Sequence, residues 1–400
     1  GGGIAGLAIG LALARIHVDV HILERAPALA EIGAGVQLGP NVTRILDAWG
    51  LLPAVQKVAF YPKNLQARNA NSGEVLATLT LSDIAKRYGA PYITIHRADL
   101  QNILLQEVQA IGITLQCDTH VQKLHQGSLQ VNVTFSKGMP ANGDANEPAS
   151  KSMQDQSQSQ SQSQNQSQNQ SESADALVIA DGVWSNLRQQ LLSDGPPRMT
   201  GHLAYRALVR QADLSPHLRT QDVSVWMGNK VHVVHYPVRN GEWLNVVCLT
   251  EGQLQGVRLQ DLQDWNVSKT PQETSADLQS ALQGACPHLQ ALVEACSQWR
   301  VWPLCDRPPM QSANEHAQGR IALVGDAAHP MRPYLAQGAG MAIEDAAELA
   351  HQWVALADRA VDQRFAAFAQ SRWQRNARVQ ARAIRNGEIF HATGPMQWAR

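Results

Sequence analysis

The sequence predicts an α/β protein: a domain of βαβ type, interrupted by an inserted antiparallel β-sheet domain and closed by a helical C-terminal part. Three observations predict it. A glycine-rich turn at the start leads into an apolar helix and a β-branched strand; alternating apolar and polar segments fill 201–250; a short apolar strand near 321 then gives way to helical patterning up to residue 400. The 400 residues are 44% hydrophobic, enough for two or three packed units.

In chain order, residues 3–16 (GIAGLAIGLALARI) read as a buried helix after a tight turn, and 18–23 (VDVHIL) as a strand. The chain has no initiator Met and Gly1 already lies within a glycine motif, so the expectation is a fragment whose first βαβ strand precedes it. Residues 113–135 suggest a small antiparallel meander. It is broken at about 137–173 by a Gly/Pro/Asn and then Gln/Ser-rich stretch, too polar to offset its ordering entropy and therefore expected as a disordered insertion. ADALVIAD (174–181) resumes the fold as a strand. The segments HLAYRALV, DVSVWM, KVHVVHYPV and EWLNVVCL read as a largely antiparallel sheet with one wet face, and Asn240-Gly241 marks a hairpin. Residues 274–297 read as helical, IALVGD (321–326) as a buried strand, and the chain from Gly340 onward as helix.

A net charge of −1 gives no electrostatic reason to expect nucleic acid or an anionic membrane as a partner. No run is long and apolar enough for a membrane span. The five cysteines (117, 248, 286, 296, 305) contain no CxxC pair, which argues against a zinc site and a disulfide framework and fits a reducing cytoplasm.

Gly1-x-Gly3-x-x-Gly6 supplies a tight turn, close backbone approach to a pyrophosphate and close helix–strand packing, with a helix N-terminus facing the phosphate charge. Small-residue runs also serve plain helix packing. Glu24, 18 residues after Gly6 at the end of the next strand, adds a carboxylate able to accept from ribose hydroxyls. Ala180-Asp181-Gly182 follows a strand, and Asp326 ends IALVGD ahead of AAHP; strand-end aspartates followed by small residues suit ribose or pyrophosphate contacts. An Asp-Gly turn alone is usually structural. Together, in this order, the segments indicate a dinucleotide site.

Across nearly the whole chain, apart from the Gln/Ser stretch, the sequence resembles the group A flavoprotein monooxygenases of the salicylate hydroxylase and 3-hydroxybenzoate 6-hydroxylase type. The segments that carry the likeness are GGGIAGLAIGLAL, ERAPALAEIGAGVQLGPN, ITIHRADLQNILL, ADGVWSNLR and GRIALVGDAAHPMRPYLAQGAGMAIEDAAELA. The resemblance implies a Rossmann-like FAD domain of glutathione-reductase type. It divides the chain into FAD-binding parts 1–68, 97–195 and 301–355, substrate-domain parts 69–96 and 196–300, and C-terminal helices 356–400. It implies FAD as cofactor, NAD(P)H as a transient reductant, and O₂ as co-substrate, activated on the reduced flavin as a hydroperoxide that transfers one oxygen to the ring. Glu24, with Arg25 beside it, would bind the adenosine ribose. Val121 would meet the adenine side through its backbone, Arg97 would reach the FAD, and Asp181 with Gly182 would lie near the pyrophosphate. Asp326 would hold the ribityl chain. Pro333 would border the flavin, and Gly338, Ala339, Gly340 and Met341 would offer backbone amides to the isoalloxazine ring, where a helix start favours the anionic reduced form.

On the substrate side, His232 and Tyr236 are four apart in VHVVHYPV, hence on one face of a strand, while His235 points the other way. From the residues alone His232 reads more simply as a packed sheet histidine. The resemblance implies that it and Tyr236 flank the substrate phenol and assist its deprotonation. Gln37 falls where the family carries a polar residue near the active site, or is a satisfied loop glutamine. Members of the 3-hydroxybenzoate type carry Gln at the position of Pro333, whereas salicylate and hydroxynicotinate types carry proline; the ring substrate stays open between these. The expected partner is a small aromatic hydroxy acid, and the expected state a monomer or homodimer. A nicotinamide-dependent dehydrogenase or a non-catalytic flavin-binding protein remain alternatives.

Overall fold

A computed structural model describes residues 1–29, 34–138, 170–252 and 269–392. The first helix, Ile4–Ala14, is buried along most of its length because its residues are small or apolar on every side. Gly10 lets it lie on the strand His21–Leu23: a Cβ there would come within 2.8 Å of Ile22 Cδ1. That strand pairs in parallel with Thr114–Gln116. A second parallel pair, Leu177–Ile179 with Ile321–Leu323, leads at its C-terminal ends to Asp181, two residues on, and to Asp326. Asp326 does not end the strand as expected but lies in the short helix Gly325–Ala328, which the positive φ of Gly325 allows. The helices Ile4–Ala14, Arg97–Ile111, Gly338–Ala355 and Val361–Phe390 share one core with these strands, through Leu7, Leu11, Leu100, Leu104, Ile343 and Phe365.

A seven-stranded sheet forms the second body. Its spatial order is Arg300–Asp306, Arg198–Arg210, Trp243–Glu251, Val231–Val238, Val223–Met227, Asn64–Asn69 and Val75–Thr80. Neighbours run antiparallel except for Val223–Met227 beside Asn64–Asn69. The hairpin expected at Asn240-Gly241 joins Val231–Val238 to Trp243–Glu251, with Arg239, Asn240 and Gly241 all at positive φ. The domain limits expected at 68/69 and 300/301 pass through or beside strands of this sheet, which draws on 64–69 and 300–306.

Three expectations need correction. The sheet has no wet face at its centre, because both sides of Val231–Val238 and Trp243–Glu251 are covered. The helices Pro271–Ala281 and Pro287–Glu294 cover one side with Leu278, Leu282, Leu289 and Leu292; the other side faces the first body. The polar residues that suggested water pack against protein instead, His232 on the rings of Tyr334, Phe390 and His391 and Tyr236 on Gly35. Second, Gln170–Ser173, expected within the disordered insertion, belongs to the strand Gln170–Ala174, which pairs with Val131–Lys137; ladder hydrogen bonds hold a sequence that has little to bury. The rest of that insertion from residue 139 lies outside the described residues. Third, Thr114–Gln116 pairs with His21–Leu23 rather than with the meander, which consists of Thr119–Gln126, Val131–Lys137 and Gln170–Ala174. No helix among the described residues is long and apolar enough to cross a membrane.

Candidate active site

The glycine turn is tight. A Cβ on Gly6 would fall 1.8 Å from the Gly1 carbonyl oxygen, and one on Gly1 would fall 2.6 Å from that of Ala180. A Cβ on Gly3 would meet nothing within 4 Å, so open space lies over the start of Ile4–Ala14. That helix start has no side-chain cap and no acid in its first turn, leaving amide donors for an anion. Glu24 accepts from the backbone N–H of Gly2 and from that of Ala26 (2.7 Å), which fixes its carboxylate beside the turn with lone pairs to spare. Gln101, which sequence reasoning missed, donates to the Gly2 carbonyl at 2.9 Å.

The backbone N–H groups of Asp118 and Thr119 donate to the carbonyls of Ala26 and Glu24, bringing the segment toward Val121 alongside Glu24 and the exposed Arg25. Val121 itself sits at a β-bulge. Burial lowers the His120 pKa, Arg25 lowers it further and Asp181 opposes.

Asp181 and Asp326 both reach water, yet each sits in a cleft walled by protein, and that burial raises their carboxyl pKa. Arg97 is held below the usual arginine range by burial, opposed by attraction to Asp326. Its guanidinium has no hydrogen-bond or ion-pair partner among the described residues. Gly338 begins a second uncapped helix, Gly338–Ala355, and a Cβ there would stand 3.8 Å from Asp326 Oδ1. Ala339 is half-buried, whereas Gly340 and Met341 are buried. Gly325, at φ +55°, sits where the two uncapped helices meet: a Cβ on it would be 2.7 Å from Ala5 Cβ and 3.4 Å from Ala342 Cβ. Behind this turn His329 Nε2 contacts Asp345 Oδ2 at 2.6 Å, and Asp345 also accepts from Arg372 and Asn376. Two anion-seeking helix starts, a buried guanidinium and two carboxylates just past strand ends along one crevice fit a dinucleotide bearing a diphosphate and polyol hydroxyls.

Across the crevice, His232 and Tyr236 share one face of Val231–Val238, as their spacing predicts. His232 is buried against the rings of Tyr334 (centroids 5.0 Å apart), Phe390 (5.4 Å) and His391 (4.9 Å), and its Nδ1 lies 2.7 Å from His391 Nε2. Burial, with His391 and His202 adding to it, pushes its pKa well below the ordinary histidine value, so the ring is neutral near pH 7. Tyr236 packs on Gly35, where a Cβ would be 2.5 Å from Cε2 of its ring. Its pKa is raised by burial, against the opposing pull of Arg206 and a hydrogen bond with Gln37. Gln37 also accepts from the Tyr92 hydroxyl, so it lies between two tyrosines. His235 lies on the opposite face, stacked on Trp226. Pro333 opens the short turn Pro333–Leu335 that seats Tyr334.

Sequence reasoning missed Asn245, Tyr334, Arg206 and His391. Asn245 stands directly across from Tyr236 and accepts from Gly35 N–H at 2.8 Å, while its Nδ2 is buried without a partner among the described residues. The hairpin at Asn240-Gly241 held the signal, since folding about it pairs 236 with 245. Tyr334 and His391 gave none, because their places depend on how Val361–Phe390 crosses the sheet. Gly387 is needed there: a Cβ would strike the Tyr334 ring at 2.5 Å.

The FAD binding domain family matches residues 1–143 and 143–383. Over 396 residues the chain is 33% identical to the 3-hydroxybenzoate 6-hydroxylase of Polaromonas naphthalenivorans, covering 98% of this chain and 88% of that protein. The chain belongs to the FAD-dependent aromatic-ring monooxygenases. Within this monooxygenase family it is also 32% identical to the 6-hydroxynicotinate 3-monooxygenase of Bordetella bronchiseptica, over 95% of this chain and 88% of that one. Two solved structures share the fold. Klebsiella pneumoniae HpxO complexed with FAD and uric acid gives a TM-score of 0.79 at 21% identity, covering 100% of this chain and 89% of that one. A salicylate hydroxylase substrate complex gives 0.74 at 24%, covering 99% and 88%. The comparisons thus give the chain an FAD-binding fold, and the seven-stranded sheet lies beside the parallel strands that carry the candidate cofactor residues.

Proposed function

We propose that this monooxygenase hydroxylates a small phenolic acid of the salicylate or 3-hydroxybenzoate type, using NAD(P)H and O₂. The observation that supports the reading is the pair His232 and Tyr236, both buried on one face of the strand Val231–Val238. In this reading Gly1, Gly3 and Gly6 and the helix start behind them hold the pyrophosphate, with Asp181 and Gly182 beside it. Glu24, Arg25 and Val121 hold the adenosine end. Arg97 and Asp326 meet the middle of the cofactor, and Gly338–Met341 with Pro333 border its ring.

When bound, FAD supplies the redox and oxygen chemistry. The protein holds the ring acid, excludes water and moves the phenol proton. His232 is kept neutral by burial at pH 7; with its Nδ1–H donated to His391 Nε2, the lone pair on its Nε2 takes the proton from the substrate hydroxyl. Tyr236, kept as a phenol, donates a hydrogen bond and is positioned by Gln37. Deprotonation makes the ring electron-rich, which favours attack on an electrophilic oxygen. The 6-hydroxynicotinate relative and the proline at 333 favour a pyridine acid as the second reading. The test is to supply hydroxybenzoates and hydroxypyridine carboxylates with NAD(P)H and identify products by mass spectrometry. A hydroxylated benzoate is the expected result. Turnover of the pyridines alone would replace the first reading with the second.

A further inference from the structure

Arg206 is a lone cation in the apolar strand segment HLAYRALV, and the register puts it on the sheet face of His232 and Tyr236. It pairs across to Val247, and Val247 to Val234, so Arg206 is on the rung between those of His232 and Tyr236, on the same face. Each of those rungs is two residues, roughly 7 Å, away along the strand. The guanidinium stacks over Trp302 at 5.1 Å from the ring centroid.

Nothing acidic balances it. Nε is buried without a hydrogen-bond partner, and the side chain has no ion pair among the described residues. Its neighbour across the edge strand is Arg300, another cation. Burial lowers its pKa and Arg97 lowers it further, with Tyr236 opposing. A half-buried guanidinium with an unpartnered Nε and no counter-ion among the described residues costs stability, and the cost is recovered when an anion with matching acceptors arrives. A planar carboxylate matches the guanidinium fork.

We propose that Arg206 is the anchor for the carboxylate of the ring acid and sets the preference of this enzyme for anionic over neutral aromatic substrates. The proposal deepens the phenolic-acid reading and rests on it. With its carboxylate on Arg206, a hydroxybenzoate lies between the two ends of the polar row, its hydroxyl turned toward His232 or Tyr236 according to ring position. Asn245 Nδ2, buried and unpartnered beside Tyr236, offers a further donor at that end.

The experiment compares wild-type holoenzyme with Arg206→Gln and Arg206→Lys, on a turned-over hydroxybenzoate and its neutral carboxamide. In Arg206→Gln the KM for the acid rises roughly 10- to 100-fold, the range expected for losing charge-assisted hydrogen bonds. The KM for the carboxamide, kcat at saturation and FAD content stay near wild type. Arg206→Lys recovers part of the acid's affinity, because it keeps the charge but not the fork. Equal changes for acid and carboxamide, or unchanged acid affinity in Arg206→Gln, would overturn the anchor. Loss of FAD would also overturn it and assign Arg206 to the cofactor. Failure of wild-type holoenzyme to bind any aromatic acid, read from its flavin absorbance, would contradict the substrate reading as well.

Discussion

The two faces of the seven-stranded sheet are built from the same strands but do different work. On the face covered by Pro271–Ala281 and Pro287–Glu294, Tyr205, Val231, Val233, Val246 and Cys248 meet Leu278, Leu289 and Leu292. On the crevice face, His232, Tyr236, Arg206 and Asn245 stand in register. His232 and His235, three residues apart on one strand, show what separates the faces. Both are buried and both are held neutral, His235 with its pKa pushed down to about 3 by burial and by His288 and Arg68. His232 contacts His391 and lies among aromatic rings at the crevice, whereas both ring nitrogens of His235 lack hydrogen-bond partners among the described residues. Burial and a shifted pKa therefore do not mark a functional histidine by themselves; strand alternation separates the proposed base His232 from His235.

The largest expected effect lies on the crevice side. His232→Ala lowers the rate of product formation by about 10²–10⁴-fold, the usual worth of general-base assistance, with FAD retained. A rapid-quench measurement of hydroxylation at saturating substrate checks this, and an unchanged rate would make the two faces equivalent. Next is Asp326→Ala at the cofactor crevice. It removes a charged acceptor worth roughly 1.5–3 kcal/mol, so FAD dissociates more readily on dilution. Wild-type retention would separate Asp326 from the cofactor.

A further effect is shared by both faces and read with pH. Unfolded, each histidine takes up a proton near pH 6.5. Folded, His235 stays neutral down to about 3 and His316 down to about 4, and His232 is also shifted well down. Below pH 6.5 the unfolded chain thus binds more protons, and stability falls by roughly 1 kcal/mol per pH unit per ring as the pH drops toward 4. Urea unfolding at pH 7 and pH 5 measures it; equal midpoints would mean that these rings protonate in the folded protein. The smallest effect belongs to His235→Leu. Replacing a ring whose polar atoms are unsatisfied with an apolar side chain changes stability by less than about 1 kcal/mol and leaves turnover alone. A loss of turnover there would erase the contrast with His232.

Much of the cofactor crevice was legible because short segments build it. The glycine turn, Glu24, Asp181, Asp326 and the helix start at Gly338 each depend on a few adjacent residues and their strand or helix ends. The shared face of His232 and Tyr236 was legible from a period of two. What covers that face was not. Alternating polar residues look the same whether they meet water or an interior crevice, so the sheet read as half-wet. The strand Gln170–Ala174 was hidden by its composition, since its order comes from backbone pairing. Tyr334, His391 and the Arg206–Trp302 stack arise from contacts between distant segments, which no local pattern records.

The central claim is that the crevice face performs the phenol chemistry while the cofactor is held from the other side. The most direct measurement is hydroxylated product formed per NAD(P)H consumed, with flavin content measured on the same samples of His232→Ala, Tyr236→Phe and His235→Leu. The account predicts full flavin in all three, a ratio near wild type in His235→Leu, and a clear drop in the other two as reduced oxygen escapes as hydrogen peroxide. Full coupling in both His232→Ala and Tyr236→Phe, or loss of flavin from them, would contradict it.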